Sequence, residues 1–193
     1  MKKLLFLALI VYAASTSYSQ NANNHMTFKG IPINGSLSDF TAQMKQKGFT
    51  HLATQDGIAA FTGEFAAYKE CTVAAVSSKS TNTVSKVGVI FPECDTWSRL
   101  YGNYSHLKEM LTQKYGEPID CVEMFDTDDE PRDDISRMYE VRMNRCKYAT
   151  TWRTEKGDIE LAIIHADYTS CVRLSYLDKI NTEKVTNSAM DDL

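Results

Sequence analysis

The stretch Asp95–Pro118, DTWSRLYGNYSHLKEMLTQKYGEP, predicts a long amphipathic helix between two strand-rich halves of the chain. Asp95 suits the N-cap position, because its carboxylate can accept hydrogen bonds from the free N–H groups of the first turn. Gly116 and Pro118 mark the end of the helix. Such a helix is stable only when its apolar face is buried, so it must lie on a sheet. The apolar residues recur every three or four positions, as one helical face requires: Trp97, Leu100, Tyr104, Leu107, Leu111 and Tyr115.

Strand signals lie on both sides of this helix. On the N-terminal side, Ser36–Asp39 resembles a capping box and predicts a short helix ending near residue 47. Three apolar runs follow it, Ile58–Phe65, Cys71–Val76 and Val84–Phe91. On the C-terminal side, the corresponding runs are Tyr148–Thr154, Asp158–His165 and Cys171–Leu177.

An acidic insert near residues 119–146 separates the central helix from the second set of strands. Ile119–Phe125 is a short extended piece, and a helix is predicted from about Pro131. Its core face is predicted to consist of Ile135, Met138, Tyr139 and Cys146. Residues 181–193 are polar and predicted to form a loose tail.

The order of these elements predicts the fold class. Two αβββ units, at about residues 30–92 and 95–178, are expected to share one antiparallel sheet with helices on one face. This is a tandem αβββ arrangement of the α+β class. The predicted single domain comprises residues 20–193.

Residues 1–19 have the pattern of a signal peptide. Two lysines precede the apolar run Leu4–Ala14, and Ser17 and Ser19 occupy the −3 and −1 positions of a cleavage site before Gln20. We therefore expect export to the periplasm or beyond the cell, with no membrane insertion after cleavage. The mature chain would keep 19 Lys+Arg and 25 Asp+Glu, a net charge of −6. An acidic chain of this kind argues against nucleic-acid binding.

Five cysteines lie in the predicted mature chain, and an oxidising compartment favours disulfides. A Cys121–Cys146 bridge would join the acidic insert to the body of the domain. Cys71 and Cys94 form a second candidate pair, which leaves Cys171 unpaired. Free buried thiols are the alternative. No C-x-x-C motif is present, so neither thioredoxin-like chemistry nor a zinc ribbon is supported.

No catalytic, metal or cofactor motif is present in the sequence. The four histidines are far apart, and the P-loop, G-x-G-x-x-G and G-x-S-x-G patterns are absent. Asp126, Asp128 and Glu130 have the spacing of the first calcium ligands in an EF-hand, but Pro131 stands where the loop needs glycine. We therefore predict no cofactor and interpret the acidic run as a solvated helix start.

Four stretches of the sequence resemble small exported hypothetical proteins of gut Bacteroidetes. They are FTGEFAAYKECTVAAV, VGVIFPECDTWSRLYGNYSHLKEMLTQKYGEP, TTWRTEKGDIELAII and VRLSYLDK. The resemblance covers roughly residues 36–180 and implies a tandem αβββ fold similar to that of β-lactamase-inhibitor-like proteins. It implies no activity and no functional residues.

The predicted function is an exported, non-enzymatic binding or protein-interaction module with an unknown protein or small-molecule partner. Strand alternation predicts a binding face that contains Glu160, Ile164 and Arg173, with a merely solvated sheet face as the alternative. Inhibition of a secreted enzyme is a special case suggested by fold analogy alone. A small secreted enzyme with a site assembled from distant residues is the competing hypothesis; its candidates are His165, Asp167 and Cys171.

Overall fold

The computed structural model describes residues 24–78 and 81–190. The predicted signal peptide and its cleavage site lie outside these residues. The described residues form four helices: α1 Leu37–Gln46, α2 Trp97–Tyr115, α3 Asp134–Arg142 and α4 Lys179–Met190. They also form ten strands: β1 Thr27–Phe28, β2 Ile31–Pro32, β3 Thr50–Gln55, β4 Ile58–Phe65, β5 Tyr68–Ser77, β6 Val84–Ile90, β7 Asp120–Phe125, β8 Cys146–Thr154, β9 Gly157–Ala166 and β10 Thr169–Asp178.

Strands β3 to β10 form one antiparallel sheet in the order β3-β4-β5-β6-β10-β9-β8-β7. Each half of the chain contributes four consecutive strands, and the last strands of the two halves pair at the centre, where Val89 lies opposite Leu174. The predicted α+β class is confirmed. Each half has a fourth strand beside the predicted three. β7 corresponds to the predicted extended piece Ile119–Phe125, whereas β3 is not among the predicted strands, because it is mostly exposed and carries little apolar alternation.

The core lies between one face of the sheet and the helices. The predicted stripe of α2 is buried there through Trp97, Leu100, Tyr104, Leu107 and Leu111. The facing positions of β9 and β10 alternate along each strand; they are Ile159, Leu161, Ile163, Val172, Leu174 and Tyr176. The short helix α1 adds Phe40 and Met44 to the same core, and α3 adds Met138 and Val141.

The start of α2 is capped differently from the prediction. Thr96, not Asp95, is the N-cap, and its hydroxyl accepts from the Arg99 N–H. The Asp134 carboxylate of the insert accepts from the backbone N–H groups of Trp97 at 3.0 Å and Ser98 at 2.8 Å. The side-chain hydrogen bond from Ser98 is the largest of the effects that hold the pKa of Asp134 below its usual range. A carboxylate at a helix N-terminus is favoured by the exposed N–H groups and the helix dipole, so Asp134 links the insert to α2.

The buried face of α3 also differs from the prediction. Met138 and Val141 are buried, whereas Ile135 is 84% exposed and Tyr139 is 52% exposed. The nine-residue helix contacts α2, β8 and β9, and its first residue, Asp134, is hydrogen-bonded to the start of α2. The sequence of this helix has apolar residues on two sides, and only the tertiary packing determines that the side with Met138 and Val141 is buried.

The predicted loose tail is largely a helix. Helix α4 continues directly from β10, and Asn181 in its first turn is almost fully buried. The Asn181 side chain donates to the backbone carbonyls of Ile33 at 3.0 Å and Val84 at 3.1 Å. A polar sequence gives no sign of this anchor, because the partners lie far away in the chain.

All five cysteines are free thiols in the structure. The predicted Cys121–Cys146 bridge is not formed, because Cys121 lies opposite Thr150 on β8 while Cys146 lies opposite Phe125 on β7. This register separates the two cysteines by four residues along the ladder, or about 13 Å, whereas a disulfide needs Cα atoms within about 7 Å. The predicted Cys71–Cys94 bridge is not formed either.

Thiol labelling of the native protein tests this arrangement. Burial raises the pKa of Cys146 to about 12 and that of Cys171 to about 11, so both stay protonated and unreactive at mildly alkaline pH. Cys121 is exposed and should react with iodoacetamide first, while buried Cys71 and Cys171 should react only after unfolding. Peptide mass mapping measures the order, and Cys121→Ser should remove the fast phase. A disulfide-linked peptide, or rapid native labelling of Cys171, would contradict the prediction.

Candidate interaction surface

The side of the sheet opposite α2 is named here the open face. The helices α1, α2 and α3 bury their apolar residues against the other side. The strand register places one row of residues across the middle of the open face: Ala60, Ala74, Gly88, Ser175, Glu160 and Thr151. A second row runs beside it: Thr62, Thr72, Ile90, Arg173, Ala162 and Ala149. A third lies on the other side: Ile58, Val76, Lys86, Leu177, Asp158 and Arg153.

The three residues predicted for a binding face all lie on the open face. Arg173 Nη2 donates to Glu160 Oε1 at 2.5 Å, and this ion pair bridges the neighbouring strands β10 and β9 near the centre of the sheet. Ile164 is half-buried and lies opposite Cys171, one row further toward the end of the strands. Their role in binding remains a prediction.

The middle row of the open face has small side chains, so it forms a shallow depression in the surface. Ala60, Ala74 and Gly88 occupy three neighbouring strands in register. A Cβ atom built on Gly88 would meet nothing within 4 Å, so open space lies directly above this glycine. None of these three residues is among the candidates predicted from the sequence. Small residues at the outward positions of strands are a recognisable signal, but only the register shows that they are neighbours.

Two polar atoms on the open face are buried without a hydrogen-bond partner among the described residues. They are Arg173 Nε and Ser175 Oγ, and Ser175 as a whole is fully buried. Buried polar atoms are hydrogen-bonded in most native structures, so two unpaired ones side by side are an unusual feature of this face. Both atoms lie on adjacent outward positions of β10, next to the Glu160 carboxylate.

The residues of the enzyme hypothesis do not come together. His165 Nδ1 lies 2.9 Å from Ser170 Oγ, whereas Cys171 lies opposite Ile164 and therefore on the other face of the sheet. Asp167 is in the tight turn between β9 and β10, where it and the 97% exposed Tyr168 both have positive φ. Burial also raises the pKa of Cys171, which opposes formation of a nucleophilic thiolate.

Two concave features lie on the described residues. An open depression of about 810 Å³ lies on the acidic insert and is lined by residues that include Asp129, Arg132, Arg137 and Glu140. A cavity of about 260 Å³ lies near the start of β8 and is lined by residues that include Asn144, Cys146, His165 and Arg173. Within residues 24–78 and 81–190, no group of three or more His, Cys, Asp or Glu side chains is placed to hold a metal ion. Over the same residues, no helix has the length and apolar character needed to cross a membrane.

The chain was compared with protein-family models, curated proteins and solved structures. No protein-family model, curated protein or solved structure matches the chain. The resemblance stated above therefore rests on the quoted stretches of sequence.

Proposed function

We propose that this chain is an exported protein-interaction module that binds a partner protein across the open face. The observation that carries the proposal is the sheet face itself, which the core helices leave uncovered. It combines half-buried apolar side chains, a row of small residues and a central Arg173–Glu160 ion pair. Arginine is enriched at protein interfaces, and a centre that can be shielded from water is where binding energy concentrates.

The size of the open face suits a protein partner. Eight strands at about 4.8 Å spacing span roughly 34 Å, and seven residues of strand extend about 23 Å. Such a face offers roughly 800 Å², which is one partner's share of a standard interface. A drug-sized small molecule needs a pocket of about 300–1,000 Å³. The cavity that borders this face at Ile164 and Arg173 has only about 260 Å³.

Besides the central Arg173–Glu160 pair, the open face has two ion pairs on the side of the sheet formed by β7, β8 and β9. Arg153 pairs with Asp158 through two hydrogen bonds of 3.0 and 3.1 Å, and Lys147 pairs with Asp126 at 2.6 Å. On β8, Ala149 lies between Lys147 and Arg153, and Ala162 lies opposite it on β9.

The test compares two double variants as bait in an extract of the bacterial envelope. Ile164→Glu with Arg173→Ala changes the open face, whereas Met110→Glu with Arg99→Ala makes the same kind of change on the exposed side of α2. We expect recovery of the main captured protein to fall at least about tenfold for the open-face variant. The α2 variant should recover it normally. Circular dichroism melts establish that both variants are folded, and unchanged recovery by the open-face variant would overturn the proposal.

A further inference from the structure

We infer that the open face takes an acidic side chain, Asp or Glu, of its partner, seated above Gly88 between Lys86 and Arg173. This inference rests on the proposed function and specifies the chemistry of the partner. The position is named the notch and consists of Gly88, its register partners Ala74 and Ser175, and the two cationic residues.

The notch is an empty space on the sheet. Gly88 has no Cβ, and nothing lies within 4 Å of the place where one would stand. Ala74 on β5 and Ser175 on β10 flank it in register, and both have short side chains. The glycine has no positive φ that would explain its presence in the middle of a central strand, where glycine costs stability. A close approach by another molecule is one use of glycine in a strand that this geometry fits.

Two cations lie beside the notch. Lys86 is two residues from Gly88 along β6, about 7 Å away, and forms no ion pair with any described residue. Arg173 lies on the other side, opposite Ile90. Glu160 is paired to Arg173, and Asp158 is held by Arg153 through two hydrogen bonds. The charge left over around the notch is therefore positive, which favours an acidic group.

The hydrogen-bond donors of Arg173 are only partly used. Its Nη2 donates to one oxygen of Glu160, while its Nε is buried without a partner among the described residues. The Nε–H and one Nη2–H of a guanidinium are parallel, so the unpartnered Nε donor of Arg173 lies on the edge of the guanidinium that faces Glu160. Ser175 Oγ, fully buried beside Gly88, is a further donor without a partner. A carboxylate arriving at the notch would have the Lys86 ammonium and the Ser175 hydroxyl as its partners, with the Arg173 guanidinium as a further positive charge nearby.

The open face is expected to bind an acidic residue within a protein segment more tightly than it binds a free anion. Ala60 and Ala74 continue the low row away from Gly88 toward β4, so an extended segment has room to cross the strands. Ile90 and Val76 border this row and supply apolar contact to the rest of such a segment. A free carboxylate would gain the charge contacts but none of this surface.

A selection with random peptides tests the inference. A phage-displayed library of random linear peptides is selected on the folded chain, and enriched sequences are resynthesised. We expect the binders to share an Asp or Glu. Each binder should lose at least about tenfold in affinity when its Asp or Glu is changed to the amide, since charge-assisted hydrogen bonds are worth at least that much. The binders should lose affinity similarly for the protein variants Lys86→Gln and Gly88→Leu. Gly102→Leu is the matched control, because Gly102 on α2 also has nothing within 4 Å of its Cβ position.

The outcomes separate the inference from the proposed function. One outcome would overturn the acidic notch but leave the open face as the interface. In it, the peptides fail to bind the Ile164→Glu and Arg173→Ala double variant, but they share no acidic residue or still bind the Gly88→Leu variant. Peptides unaffected by that double variant, or no enriched peptide at all, would overturn both. In an NMR titration of the Gly88 amide signal, sodium acetate that binds with the same affinity as the peptide would make the notch a free-anion site and would contradict the inference.

Discussion

Replacing Asp178 with alanine is expected to lower the free energy of unfolding by about 3–5 kcal/mol, because three buried hydrogen-bond donors would lose their acceptor at about 1–3 kcal/mol each. Asp178 is fully buried at the end of β10. Its carboxylate accepts from His25 Nδ1 at 2.9 Å and from the backbone N–H groups of Met26 at 2.8 Å and Asn181 at 2.9 Å. Alanine would leave all three donors buried and unpaired, and each unpaired donor carries its own desolvation cost.

The effect should spread beyond Asp178, because its hydrogen bonds join the segment before β1 to the start of α4. Denaturant titration measures the loss of stability, and hydrogen exchange should show faster exchange over residues 24–34 in a milder Asp178→Asn variant. Glu183→Ala, an exposed change on the same helix α4, is the control and should stay within about 0.5 kcal/mol of the parent. A loss below about 1 kcal/mol for Asp178→Ala would contradict the proposed role of the carboxylate.

Gly157→Ala is expected to cost at least about 3 kcal/mol. Gly157 starts β9 with a φ of +147°, a conformation that costs other residues about 1–3 kcal/mol. Its Cβ would also stand 2.0 Å from the carbonyl oxygen of Leu177 and 3.0 Å from the backbone nitrogen of Lys179. Both atoms belong to the backbone where β10 passes into α4, so relief requires the strand pairing itself to shift.

Gly88→Ala provides the matched comparison for this change. Gly88 lies in a central strand with open space above it, so alanine there should raise stability by about 0.5–1 kcal/mol. Chemical denaturation of the two variants under the same conditions measures the difference. Equal stability of Gly157→Ala and the parent would show that the β9 start tolerates a side chain and would contradict the close approach described here.

The sequence by itself determined the parts of the fold that bury long apolar faces. The stripe of α2 and the alternation of β9 and β10 are local patterns, and each has one way to face a core. The outward direction of Arg173 and Glu160 follows from the same alternation. These predictions required no knowledge of which strands are neighbours.

Tertiary structure decided the features that depend on distant partners. The edge strand β3 buries too little to leave an apolar pattern, and polar α4 is anchored by Asn181 to carbonyl groups near residue 33 and residue 84. The cysteines stay apart because strand register, not sequence spacing, sets their distance. The notch likewise exists only because β6 pairs with β10 and brings Gly88 opposite Ser175, residues from the two halves of the chain. The two halves pair through residues far apart in the sequence. Local alternation sets which face of the sheet a residue takes, but not which residue of the other half it lies opposite.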